Sequence, residues 1–193
     1  ELITEAVDTA KQADVAVIFA GLPEKMESEG YDRSHMKMPQ GHCRLIEEIT
    51  RVQEHTVVVL YNGSAIELPW AEHVPAILEG YLSGEAVGEA TIDVLFGSVN
   101  PSGHLAESVP VKLQDNPSYL FFPGEGEKVV YNERMFVGYR YYESKDMKVR
   151  FPFGHGLSYT TFVFSNMKLE KSRLQGGENL PLHVRASFAL VFP

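Results

Sequence analysis

The sequence predicts an α/β fold, a three-layer sandwich with helices on both faces of a mostly parallel sheet, followed by an incomplete β segment. Three apolar runs carry that reading: Val15–Ala20, Thr56–Tyr61 and Ala76–Tyr81 are strand-like and are separated by segments of helical periodicity. Strands alternating with helix-length connections pair in parallel through right-handed crossovers. Past Pro110 the alternation stops. A turn-rich, aromatic stretch follows, and then strand-like patches of a second kind.

In order, Leu2, Ile3, Ala6, Val7 and Ala10 recur at helical spacing up to Lys11, so the chain opens on a helix with no capping residue ahead of it. A chain that begins this way is expected to be cut from something longer. The run Val15-Ala16-Val17-Ile18-Phe19-Ala20, closed by Gly21 and Pro23, reads as a strand buried on both faces. A helix from Gly41 to Val52 presents Leu45, Ile46 and Ile49, and the second strand then ends at Asn62-Gly63-Ser64. Pro69-Trp70-Ala71 should start a short helical piece, with Trp70 structural. The third strand follows, and then a helix from Glu85 to Phe96 with Gly97 as its C-cap. Leu105–Val109 could add a strand. Phe162–Phe164 and Leu182–Val191 look like the opening of a β domain.

Between the first strand and the second helix lies Glu27-Ser28-Glu29-Gly30-Tyr31-Asp32-Arg33, three carboxylates, a glycine and an arginine. This loop leaves the C-terminal end of a strand, the edge of an open α/β sheet where ligands bind, which makes it a candidate site. Gly30 would let the backbone turn so that Glu29 projects outward. A loop glutamate with no other context is ordinarily just solvated.

Composition narrows the function classes. With 26 acidic and 17 basic residues, the 193-residue chain has a net charge of -9, which argues against a nucleic-acid or anionic-membrane partner. A neutral ligand suits it better. The single cysteine, Cys43, excludes an intrachain disulfide and reads as a small core side chain. No apolar run has the length of a membrane span, and the first residues are not a signal peptide. The histidines show no zinc-ligand spacing.

Five motifs occur together in one order: Glu29-Gly30-Tyr31-Asp32-Arg33, Asn62-Gly63-Ser64, Asn100-Pro101-Ser102-Gly103, Val137-Gly138-Tyr139-Arg140-Tyr141-Tyr142 and Phe153-Gly154-His155-Gly156-Leu157-Ser158-Tyr159-Thr160. The chain thereby resembles the C-terminal α/β sandwich of glycoside hydrolase family 3, in its β-glucosidase branch. The likeness implies an N-terminally truncated sandwich over 1–133, an interdomain linker over 134–160 and the start of a fibronectin type III-like domain over 161–193. Lys112–Pro117 is similar to members that carry a sugar-binding PA14 domain just upstream. Two departures are visible. His104 replaces a common lysine, and the tail Leu182–Pro193 does not continue into the expected Asn-Thr-Gly turn, so its apolar edge should favour association.

The resemblance implies a retaining exo-glycosidase that removes terminal β-D-glucosyl residues from a β-glucoside substrate without a cofactor. A retaining mechanism needs two carboxyls roughly 5 to 5.5 Å apart. The family's acid/base glutamate falls on Glu29, whereas the aspartate nucleophile belongs to a TIM-like barrel outside these residues. This chain alone is then half a site and should be inactive. A general acid must hold its proton when substrate arrives, and Glu27 and Asp32 are carboxylate neighbours that help it do so. Arg33 would oppose this if it reached Glu29, so it should pair with Asp32 or another loop group.

Tyr31, Tyr119, Phe121 and Phe122 could line the aglycone side of the cleft, because sugar C–H faces stack on aromatic rings; core packing is the commoner use of such residues. His155 is expected to pack or to make backbone hydrogen bonds. Two other readings stay open. One is a β-xylosidase of the same family. The other is a non-catalytic α/β module, for which the chain lacks both GxGxxG and Walker phosphate loops.

Overall fold

The structure, a computed structural model, describes residues 1–190. The chain forms two compact units, one made of 1–91 with 104–155, the other of 92–103 with 156 onward.

In the first unit, α1 (Leu2–Ala10), β1 (Ala16–Gly21), α2 (Gln40–Thr50), β2 (Thr56–Tyr61) and β3 (Ala76–Glu79) follow one another, and the strands form a parallel sheet in the order β1-β2-β3. Period-two alternation sends Ile18 and Ala20 of β1, with Val58 and Leu60 of β2, to one face. There they meet Ala10 of α1, Ile46 and Ile49 of α2, and Trp70 in a continuous core. Gln53 closes the end of this layer. Its Nε2 donates to the carbonyls of Ala10 and Ala13 at 3.1 and 2.6 Å, and its Oε1 accepts from the His55 N–H at 3.0 Å. This one buried amide thus serves the last carbonyl of α1, that of Ala10, and the Ala13 carbonyl just beyond the helix.

The opposite face corrects the expectation for the first strand. β1 lies at the edge of the sheet and is buried on one face only, with Val17 and Phe19 43% and 57% exposed. An unbroken apolar run is thus compatible with a one-sided strand, because composition does not record which neighbours a strand acquires. Phe19 instead stacks on Tyr61 of β2, ring centroids 6.4 Å apart.

Pro69-Trp70-Ala71 forms turns rather than a helix, closed by the N–H groups of Ala71 on Leu68 O and His73 on Trp70 O. Pro75 disfavours helical backbone at Val74 and so prevents a longer helical run. Trp70, 1% exposed, is core. α3 (Val87–Leu95) follows β3, and Gly97 stands just beyond it at φ +75°. The expected strand from Leu105 shrinks to β4 (Val109–Pro110), antiparallel to β5 (Val149–Phe151). Leu105 itself exchanges backbone hydrogen bonds with His155 and Gly154, each 2.8 Å. The His155 ring stacks on Phe151 at 5.1 Å. A short helix, α4 (Tyr139–Ser144), buries Tyr142.

The second unit holds the antiparallel pair β6 (Thr160–Leu169) and β7 (Leu182–Leu190). The Asn100 side chain organises its start, accepting from Ser158 Oγ and the Tyr159 N–H and donating to Thr160 Oγ1 at 2.9 to 3.0 Å. Val191–Pro193 of the apolar tail lie outside the described residues.

Candidate functional site

The C-terminal ends of β1, β2 and β3 lie side by side because the strands are parallel and in register, Gly21 opposite Tyr61 and Leu60 opposite Glu79. Whatever follows each strand is therefore gathered at one edge. After β1 comes the acidic loop, after β2 the turn Asn62-Gly63-Ser64-Ala65, and β3 itself ends in Glu79.

The acidic loop is fastened to the turn on both sides of Glu29. Glu27 Oε1 accepts a 2.6 Å hydrogen bond from the Gly63 N–H. Four residues beyond Glu29, Arg33 Nη2 donates to Ser64 Oγ at 2.6 Å and to the Ala65 carbonyl at 3.1 Å. Arg33 thus pairs with a loop group of another element and not with Glu29 or Asp32. Gly63 allows the close approach, since a Cβ there would lie 3.0 to 3.2 Å from the Glu27 carboxylate. Downstream, the chain is secured where the Glu67 N–H donates to the Met36 carbonyl at 2.8 Å, with Met36 and Met38 buried.

Between the anchors the loop faces outward. Glu29, Gly30, Tyr31 and Asp32 are all exposed, and among the described residues the Glu29 carboxylate takes no side-chain hydrogen bond or ion pair. Tyr31 turns back so that its hydroxyl donates to the Glu24 carbonyl at 2.8 Å. Tyr119, Phe121 and Phe122 sit on a separate loop with exposed rings, and none of them stacks on Tyr31. That loop approaches the acidic segment's exit through Asn116, whose Nδ2 lies 3.3 Å from Met36 Sδ.

Beneath the turn lie two carboxylates that motif reading did not single out, Glu79 and Glu107. Glu79 accepts from the Tyr81 N–H at 3.0 Å and from Asn62 Nδ2 at 3.5 Å, and burial pushes its carboxyl up to about 7. Glu107, raised in the same direction by burial, faces the Ala65 N–H, the Tyr81 hydroxyl and Arg33. Tyr81 adopts φ +48°, which turns its N–H onto Glu79, and burial beside these carboxylates lifts its hydroxyl to about 12. Glu79 could have been found from sequence by the rule that strand C-terminal ends carry ligand-facing groups. Nothing local in the sequence marks Glu107. Glu27 Oε2, Arg33 Nη1 and Asn62 Oδ1 are buried atoms with no hydrogen-bond partner among the described residues.

Chemically, the site is an exposed carboxyl on an anchored loop, above a half-buried layer of carboxyls, tyrosine and arginine. It can give or take a proton at a surface. Among the described residues, no group of three His, Cys, Asp or Glu could hold a metal ion.

Comparison with known proteins gives this edge a family. The profile of the glycosyl hydrolase family 3 C-terminal domain matches residues 1–159. Thermostable β-glucosidase B of Acetivibrio thermocellus is 54% identical over 185 residues, 96% of this chain and 24% of that protein. A probable β-glucosidase I of Emericella nidulans is 46% identical over 188 residues, 95% of this chain and 22% of that protein. The chain thus spans about a quarter of the length of these curated relatives. Among solved structures, the β-glucosidase of Kluyveromyces marxianus in complex with glucose superposes with a TM-score of 0.83 at 44% identity, over 86% of this chain and 20% of that one. The family 3 β-glucosidase of Bifidobacterium adolescentis gives a TM-score of 0.84 at 38% identity, over 98% and 33% of the two chains. With the family profile matching most of its length and its sequence and fold both close to those of family members, this chain belongs to glycosyl hydrolase family 3, as the C-terminal domain of that family.

Proposed function

We propose that this chain is part of a retaining β-glucosidase and that Glu29 is its general acid/base. The observation that carries the reading is the setting of Glu29: an exposed carboxyl that, among the described residues, has no side-chain hydrogen bond or ion pair, held on a loop anchored on either side. Support for the reaction comes from the relatives, which are named β-glucosidases, and from the K. marxianus enzyme, which was solved with glucose bound.

In the first step the Glu29 carboxyl gives its proton to the glycosidic oxygen while a carboxylate of the barrel domain attacks the anomeric carbon. The bond to the aglycone breaks, and the alcohol leaves neutral. In the second step the Glu29 carboxylate takes a proton from water as that water displaces the barrel carboxylate, releasing glucose. Tyr31, Tyr119, Phe121 and Phe122 present exposed rings for the apolar face of the aglycone. The nucleophile comes from the barrel, so this chain alone is inactive.

The test compares Glu29→Gln with the parent in the full-length enzyme. Hydrolysis of a β-glucoside with a poor leaving group should fall by about 10²- to 10⁴-fold, the range of general acid–base assistance. A dinitrophenyl β-glucoside, whose leaving group needs no proton, should keep a fast first step, and azide should accelerate turnover with formation of glucosyl azide. Equal losses on both substrates without azide rescue would reject the role of Glu29. An aryl β-xyloside cleaved in preference to the glucoside would move the assignment to xylosidase. Hydrolysis by the 193-residue chain alone, abolished by Glu29→Gln, would place the nucleophile within it.

A further inference from the structure

The geometry points to Glu27 and Arg33 as positioning residues: together they clamp the acidic loop onto the turn Asn62–Ala65 and so fix where the Glu29 carboxyl is presented. The inference rests on the acid/base reading of Glu29 given above.

Glu29 sits between two attachments of different chemistry. On its N-terminal side, the Glu27 carboxylate binds a backbone N–H, a charge-assisted contact of 2.6 Å to an atom that no substitution of side chain can move away. On its C-terminal side, one guanidinium nitrogen bridges a hydroxyl and a carbonyl, 2.6 and 3.1 Å away, on the next two residues of the same turn. The three consecutive residues Gly63, Ser64 and Ala65 thus receive the loop, while Asn62 Nδ2 closes the turn on the Ser64 carbonyl at 3.1 Å. The turn is itself the continuation of β2, whose Val58, Val59 and Leu60 are fully buried. A loop that is otherwise exposed is therefore referenced to the central, buried strand of the sheet. Proton transfer depends on placing the carboxyl within hydrogen-bond reach of the glycosidic oxygen, and a displacement of about 1 Å costs on the order of 10²-fold in rate.

The two residues act differently under substitution. Glutamine at 27 keeps an oxygen for the Gly63 N–H, whereas alanine removes it. Lysine at 33 keeps the charge but loses the planar fork that serves two acceptors. If Glu27 worked through its charge on Glu29, glutamine and alanine would be equally harmful. If it works through the bond to Gly63, glutamine recovers most of the loss.

The experiment measures kcat and KM of the full-length enzyme on a poor-leaving-group β-glucoside and on a dinitrophenyl β-glucoside, for Glu27→Ala, Glu27→Gln, Arg33→Met and Arg33→Lys, with Glu29→Gln beside them. Expected are kcat losses of about 10²-fold on the poor leaving group for Glu27→Ala and Arg33→Met, with losses at least tenfold smaller on the dinitrophenyl substrate. Recovery by Glu27→Gln is expected as well. Losses equal on both substrates, or no loss, would overturn the clamp if Glu29→Gln shows the leaving-group signature. Absence of that signature in Glu29→Gln would sink the acid/base reading itself and the clamp with it. Should the alanine or methionine variant fail to fold, Gly63→Ala replaces it, because its Cβ would press on the Glu27 carboxylate from 3.0 Å. The same leaving-group dependence in Gly63→Ala supports the clamp, and a parental profile overturns it.

Discussion

The carbonyl oxygen of Tyr61 occupies the place a side chain would need at Gly21: a Cβ built there would stand 1.9 Å from that oxygen and 2.7 Å from its carbon. The two residues are opposite each other at the ends of β1 and β2, and the same carbonyl accepts the Leu22 N–H at 3.0 Å. Neither partner is a movable side-chain tip, so Gly21→Ala must spread the strands where the acidic loop begins. We expect a loss of about 2–4 kcal/mol, in the range of core overpacking and backbone strain, read as a lower urea midpoint of the 193-residue chain. An unchanged midpoint would mean that the strand ends separate at no cost.

Ile46 is fully buried at the centre of α2, against the Ile18 and Val58 face of the sheet. Truncation to alanine removes three carbons from a site walled by two strands and by Trp70, which leaves little freedom to collapse. The expected destabilisation is about 3–4 kcal/mol, again from urea denaturation. Leu2, on the exposed face of α1, should tolerate the same change within about 0.5 kcal/mol.

The sheet was legible because its strands are short β-branched runs bounded by Gly, Pro and Asn, and the helices because their apolar residues keep a 3.6 period. The acidic loop stood out because charge follows an apolar run abruptly. What could not be read was pairwise and long-range. The openness of β1 at Val17 and Phe19 depends on strand order, and the partner of Arg33 lies 31 and 32 residues away in sequence. Glu107 joins the site from the connection that precedes β4 and carries no local mark. Pro69-Trp70-Ala71 did not lengthen into a helix because Pro75 disfavours helical backbone at Val74, one turn later.

In the second unit, β6 and β7 expose large apolar side chains on both sides of a two-stranded ladder, Phe164 and Phe188 on one face, 72% and 67% exposed, and Val163 on the other, 63% exposed. A two-stranded sheet also offers unpaired backbone edges. The 193-residue chain is therefore expected to self-associate, shown by light scattering after size exclusion as a mass that rises with concentration. Phe164→Ser with Phe188→Ser should reverse this. A monomer at all concentrations would show that the exposed ladder is not sticky enough to pair.

Stability should fall as pH rises, through Glu79. Burial lifts its carboxyl from the ordinary 4.5 to about 7 in the folded chain. Between those values the folded state holds a proton that the unfolded state releases. The stabilisation is complete below about pH 4.5 and is lost as pH climbs through about 7, a span of at most about 3 kcal/mol. Asn62 and the Tyr81 N–H oppose the shift by hydrogen-bonding the carboxylate, while Glu107 and Glu27 reinforce it. Glu107, raised by its own burial, adds a slope of the same sign. The measurement is the urea midpoint of the parent and of Glu79→Gln from about pH 5 to about pH 8. The parent midpoint should decline across that range, and the variant should decline less, keeping only the share of Glu107. Identical slopes would show that Glu79 ionises in the folded chain as freely as in the unfolded one, and that the layer beneath the turn is wetter than its packing implies.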